Sequence, residues 1–130
     1  MMTPELTVLA LAGLLQGVQF AAFSIAANRQ VGPKVAMGTR DKAPVLTGTA
    51  GRLQRALNNH FEGLILFTLA VVVVSLGDQS SGLTRLCAWV YLAARILYVP
   101  AYVFGWVPWR SVIWAIGFAV TMLMILASFV

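Results

Sequence analysis

Arg52, Arg55, Asn59 and Glu62 follow one another at spacings of three, four and three. At 100° per residue they fall within about 80° on one helical face. Guanidinium groups with an asparagine amide bind carboxylates through charge-assisted, bidentate bonds. Glu62, a lone carboxylate beside them, suits an ammonium group. Farther along, Tyr91, Arg95, Tyr98 and Tyr102 recur at four, three and four, within about 60° on a second face. An arginine with tyrosines can steady a developing anion. A zwitterionic peptide with two carboxylates, an amine and an ionisable thiol matches this chemistry, so glutathione is one candidate among several anionic metabolites.

These residues lie at the mouths of segments long enough to cross a bilayer, where an unpaired ionisable group costs several kcal/mol. The chain has 130 residues, of which 60% are hydrophobic and 10% charged. A soluble domain of this size has too little interior for that much apolar surface, whereas lipid accepts it. Four stretches have spanning length: Leu6 to Ala27, Leu53 to Leu76, Leu83 to Phe104 and Val107 to Val130. The last two connections are short and make successive helices antiparallel neighbours. The first, Asn28 to Gly51, is rich in Gly, Pro and Thr and reads as an irregular loop. No repeat or second domain interrupts the pattern. The expected fold is all-α, a single four-helix transmembrane bundle over residues 1–130.

Charge orients the bundle. Of nine basic residues, Arg29, Lys34, Arg40, Lys42, Arg52 and Arg55 lie in or beside the first loop. The positive-inside rule puts that loop in the cytoplasm and both termini on the opposite side. The net charge of +5 is then a topogenic signal, and nucleic acid is not an expected partner. The N-terminus lacks the basic start and cleavage pattern of a secretory peptide, so the first span is expected to remain in the mature protein. With this orientation Arg29, the Arg52 to Glu62 run, Tyr98, Tyr102 and Arg110 converge at one depth. Beyond Glu62 the helix face continues as Leu66, Ala70 and Val73, an apolar floor beneath a polar mouth. Pro100 removes the hydrogen bond to the Ile96 carbonyl and is expected to interrupt its helix. Pro108 sits where a first-turn proline would open the fourth helix, with Arg110 in that turn.

Plainer readings stand beside these. Arg52 alone fits a topogenic arginine at the interface, and Arg55 with Glu62 a structural ion pair. Trp106 and Trp109 fit an aromatic belt better than a site. His60 lies off the stripe without a histidine or cysteine neighbour, so it reads as a packing or interfacial residue and no metal is expected. Cys87, the single cysteine, reads as a small buried hydrophobe. Gly13 and Gly17 suggest close helix packing.

The run RLQRALNNHFE from Arg52 to Glu62 resembles the second-helix signature of the membrane-associated proteins in eicosanoid and glutathione metabolism. Arg95-Ile-Leu-Tyr98-Val-Pro-Ala-Tyr102 resembles their third-helix tyrosine segment, and Pro108-Trp-Arg110-Ser111-Val112 the start of their fourth helix. Length, spans and loops are similar throughout. The resemblance implies a bacterial-type, inner-membrane relative of the microsomal glutathione transferases, a homotrimer that binds glutathione as cosubstrate between subunits near the cytoplasmic face. It implies detoxifying transferase or peroxidase activity on lipophilic small molecules arriving from the bilayer. Arg55, Asn59 and Glu62 would hold the peptide's polar groups, Arg52 would add charge at the rim, and Tyr98 and Tyr102 would contact it from the third helix. Arg110 would steady the thiolate with Ser111 beside it; Arg29 matches basic residues at the end of the first helix. The chain departs from the pattern at Gly63, where the eicosanoid enzymes often carry an aromatic residue, and at Leu57, where a polar residue can stand. The Tyr102 to Arg110 spacing also differs by about one residue. A non-catalytic membrane binder or scaffold is the alternative function. A small multidrug exporter is a third, disfavoured by the arginines around Glu62, which repel cations.

Overall fold

The computed structural model describes residues 2–32 and 46–130. Within these residues four helices follow in order: α1, Pro4–Val31; α2, Gly48–Leu76; α3, Gly82–Val103; α4, Trp109–Ala127. All four are long and apolar enough to cross a membrane. At about 1.5 Å per residue the shortest, α4 with 19 residues, reaches roughly the 30 Å of a hydrocarbon core, and α1 and α2 exceed it. The surplus leaves the ends of α1 and α2 room to carry Arg29 and Arg52 at an interface.

The starts of α1 and α3 have local causes. Thr3 caps α1 by accepting the Leu6 N–H at 3.2 Å, with Pro4 in the first turn. Ser81 and Thr84 form a capping box on α3. α2 and α3 form the central pair; α1 packs on both from one side and α4 on both from the other, and the backbones of α1 and α4 do not approach closely. The apolar core lies toward the end of the bundle where α1 and α3 begin, where Val8, Ala12, Phe67, Ala70, Val71, Ala88, Tyr91 and Met124 belong to one buried cluster. Within it the rings of Phe67 and Tyr91 stack with centroids 3.9 Å apart and planes 3° from parallel. The outer faces stay apolar, with Leu14, Val18 and Phe20 on α1 and Phe61, Ile65 and Leu69 on α2 exposed, as lipid-facing surface requires.

The structure amends several expectations. α1 runs on through Asn28 to Val31 and α2 begins at Gly48, so the first connection is shorter than Asn28 to Gly51. The Gln30 amide clamps the backbone of Thr47 with bonds of 2.9 and 2.8 Å, which holds the two helix ends together. Lys34, Arg40 and Lys42 lie outside the described residues. α3 passes through Pro100 without interruption, since neighbouring elements can re-satisfy a freed carbonyl in a membrane helix. It closes with the Phe104 N–H donating to the Pro100 carbonyl at 2.9 Å. α4 starts at Trp109 with Pro108 as its cap and ends at Ala127, inside the Val107 to Val130 stretch. Gly13 and Gly17 do not mediate packing within the chain, because a side chain added at either would meet nothing within 4 Å.

Candidate functional site

The start of α2, the end of α3 and the start of α4 meet at one end of the bundle. The Arg52 guanidinium donates from Nη1 to the Val103 carbonyl at 2.9 Å, satisfying an acceptor that the end of α3 leaves free. One turn deeper, Arg55 donates from Nε to the Tyr102 hydroxyl at 2.9 Å. Tyr102 in turn lies under the Arg110 guanidinium, whose central carbon is 4.8 Å from the ring centroid. That contact is close enough for a cation–π attraction. Tyr98 is tilted against Tyr102 at 5.7 Å between centroids. Arg110 is placed by the first turn of α4, where its N–H donates to the Trp106 carbonyl and the Ser111 N–H to that of Pro108, both at 3.0 Å. Asn59, Tyr98, Tyr102, Arg110 and Ser111 line a shared hollow of about 490 Å³.

Below the hollow lies a second, partly open pocket of about 170 Å³ between α2, α3 and α4. Asn59 and Trp114 border both spaces, so the two are adjoining levels of one cleft. Glu62 lies on the wall of the deeper space and is itself exposed. Arg95 is its buried cation. Nε donates to His60 Nδ1 at 3.2 Å and Nη1 to Asn59 Oδ1 at 3.0 Å. The guanidinium packs 4.6 Å from the Tyr98 ring centroid.

Of the residues singled out from sequence, Asn59, Tyr98, Tyr102, Arg110 and Ser111 thus share one hollow, with Arg52 and Arg55 bonded to its α3 wall and Glu62 one level down. Arg29 is elsewhere: it lines a separate depression with Gln30, Thr47 and Ala50. The end of α1 lies on the side of the α2–α3 pair away from α4, and that is why the charge at one depth is divided laterally. Arg95 sits on the tyrosine stripe, a signal already visible, and proves to be the guanidinium at the centre of the cleft. His60, expected to be a packing or interfacial residue, is a packing one: it is fully buried and hydrogen-bonded on both ring nitrogens, to Arg95 Nε and, with Nε2 3.1 Å away, to the Ala12 carbonyl. Only the approach of α1 reveals that. Among the described residues no group of His, Cys, Asp or Glu could hold a metal ion. Cys87 is buried and free.

No curated protein and no solved structure gives a significant match to the chain. A model of the MAPEG family matches residues 8–130, nearly the full length, and covers every helix that builds the cleft. The chain belongs to the MAPEG family, whose four-helix membrane bundle it adopts.

Proposed function

We propose that the protein is a membrane-bound glutathione transferase with peroxidase capacity toward lipophilic substrates. The observation that carries this reading is the Arg110 guanidinium stacked on Tyr102 beside Ser111, at the rim of a hollow of about 490 Å³. That volume lies in the range of small-molecule sites, about 300–1,000 Å³. The donor set fits the tripeptide: Arg52, Arg55 and Asn59 offer N–H donors to its carboxylates, and Glu62 accepts from its ammonium group. Tyr98 and Tyr102 supply flanking rings. Arg29, apart from this set within one chain, belongs to the site only if a neighbouring subunit brings it there, in keeping with a proposed homotrimer that binds its ligand between subunits.

In this reading Arg110 favours the ionised thiol. A free thiol has a pKa of about 8.5, and an adjacent cation lowers it. The thiolate then attacks an electrophilic carbon, forming a C–S bond as the leaving group departs with its electron pair. With a hydroperoxide it attacks the terminal oxygen, releasing an alcohol; a second thiol converts the sulfenic acid to a disulfide and water. The binding residues contribute by holding the nucleophile in place, and the acceptor enters laterally from lipid. We place the site at the cytoplasmic face of a bacterial inner membrane, with both termini opposite, on the strength of the basic residues around the first connection.

Calorimetric titration of glutathione into the detergent-solubilised protein tests the reading. Micromolar to low-millimolar binding is expected, weakened at least about tenfold, or ~1.4 kcal/mol, in Arg55→Ala and Glu62→Ala. Absence of binding to the wild type sinks the proposal. Turnover of chlorodinitrobenzene then separates an enzyme from a non-catalytic binder, and sedimentation of the detergent complex reads the subunit number.

A further inference from the structure

A line of hydrogen bonds runs from α1 to the hollow. The Ala12 carbonyl meets His60 Nε2 at 3.1 Å, Arg95 Nε donates to His60 Nδ1 at 3.2 Å, and Arg95 Nη1 donates to Asn59 Oδ1 at 3.0 Å. Ala12, His60 and Arg95 do not line the hollow; Asn59, the last member, does. Ala12 and His60 are fully buried and Arg95 is 3% exposed. In so dry a setting each bond is strengthened, and a reversed partner is costly.

Arginine has donors and no acceptor, so Arg95 dictates the polarity of both neighbours. His60 Nδ1 must be without a proton. Asn59 must turn its amide oxygen to Arg95. The two N–H donors of Nδ2 then lie on the far side of the planar amide, where the residue borders the hollow. Reversing the amide sets N–H against N–H and leaves Arg95 Nη1 without its acceptor. His60 matters because the contact of Arg95 with Tyr98, 4.6 Å to the ring centroid, is weakly directional. A ring face attracts a cation without selecting which edge of it points where. The bond to His60 Nδ1 makes that selection.

We infer that His60 is a positioning residue for the hollow: through Arg95 it holds the Asn59 amide with Nδ2 turned to the ligand. Ligand capture thereby depends on the docking of α1, a helix that brings no residue of its own to the hollow. The ligand of Nδ2, a carboxylate of glutathione, rests on the proposed function; the relay from Ala12 to Asn59 does not.

The test uses the full-length protein in detergent and two substitutions. His60→Leu fills the space and gives up both bonds. His60→Asn carries an amide oxygen near the place of Nδ1, so it keeps the acceptor for Arg95 and gives up only Ala12. Glutathione affinity is expected to fall about fivefold or more in His60→Leu and to return near the wild-type value in His60→Asn. The Arg95 Nε–H resonance in nitrogen-15 NMR, recorded without glutathione and assigned with Arg95→Lys, is expected to persist in the wild type and His60→Asn and to be lost by exchange in His60→Leu. Wild-type affinity in His60→Leu overturns the inference, and so does His60→Asn binding as weakly as His60→Leu. If the wild type binds no glutathione the proposed function falls, and the Arg95 resonance alone decides the relay: equal signals in the two variants overturn it. His60 is the single histidine of the chain, so its labelled ring can be read in the wild type even if neither variant folds. A proton on Nε2 and none on Nδ1 is expected; a proton on Nδ1 overturns the inference.

Discussion

Arg95 and His60 are locked together by a hydrogen bond of 3.2 Å from Nε to Nδ1. An arginine can only donate, so Nδ1 is an acceptor, and the proton of the neutral ring sits on Nε2, from which it is given to the Ala12 carbonyl at 3.1 Å. One imidazole thus joins α1, α2 and α3 and sets the azimuth of the guanidinium that faces the deeper cavity. The Asn59 amide fixes a second edge of the same group. With two edges held, the third is aimed rather than free to wander, which is what a binding group in a low-dielectric cleft requires.

Replacing His60 by alanine leaves Arg95 Nε and the Ala12 carbonyl without partners in a buried region. Each loss costs about 1–3 kcal/mol, and the void adds to it. A destabilisation of about 3 kcal/mol is expected in thermal or denaturant unfolding in detergent. His60→Gln can restore one bond at a time and should recover part of that loss. If alanine unfolds at the same point as the wild type, the bridge contributes nothing to stability.

How far such arrangements can be read in advance depends on what sets them. Long apolar runs made four spans legible because a bilayer demands them whatever the packing. The helical ends at Asn28 to Val31 and at Gly48 to Gly51 were not legible. Their composition is that of a loop, and a single long-range contact, Gln30 on Thr47, accompanies their order. Periodicity placed Arg52, Arg55 and Asn59 on one face and Arg95 with Tyr98 and Tyr102 on another, and those faces meet. His60 and Arg29 depend instead on where α1 docks. No local pattern encodes that, so the partners of His60 could not be named in advance and Arg29 was assigned to the cluster it stands beside.

Arg110 offers a test specific to chemistry rather than binding. Arg110→Ala removes the cation next to Ser111 and leaves Arg52 and Arg55 bonded to α3. Under the proposed mechanism glutathione affinity changes little, while the thiolate absorbance of the bound peptide falls at neutral pH and the rate optimum moves to higher pH. Arg110→Lys keeps a charge and should restore part of the thiolate signal. Equal thiolate absorbance in the alanine variant and the wild type removes Arg110 from that role.

At the opposite end of the bundle Glu5 is fully buried. Its Oε2 accepts from the Ser80 hydroxyl at 2.6 Å and from that of Thr84 at 2.8 Å, tying the first turn of α1 to the start of α3. Glu5→Ala severs both bonds and empties the space, for an expected loss of about 2–4 kcal/mol. The site lies far from the cleft, so glutathione binding by the folded fraction should be unaltered. A loss of affinity in protein shown to be folded would mean that the two ends are coupled.

Asn59 is where stability and binding can be made to oppose each other. Its amide oxygen accepts from Arg95, and the side chain borders both levels of the cleft. Asn59→Asp keeps the acceptor and supplies the negative charge that Arg95 lacks. Pairing an existing buried cation should raise resistance to unfolding, by about 1 kcal/mol once the desolvation of the new carboxylate is set against the attraction. The same charge repels the carboxylates of glutathione, which should bind at least about tenfold more weakly. Asn59→Leu removes the acceptor without adding charge and should lower stability instead. The two variants therefore move unfolding in opposite directions while both reduce glutathione affinity. If aspartate destabilises the protein as much as leucine does, the desolvation of the new carboxylate outweighs its attraction to Arg95.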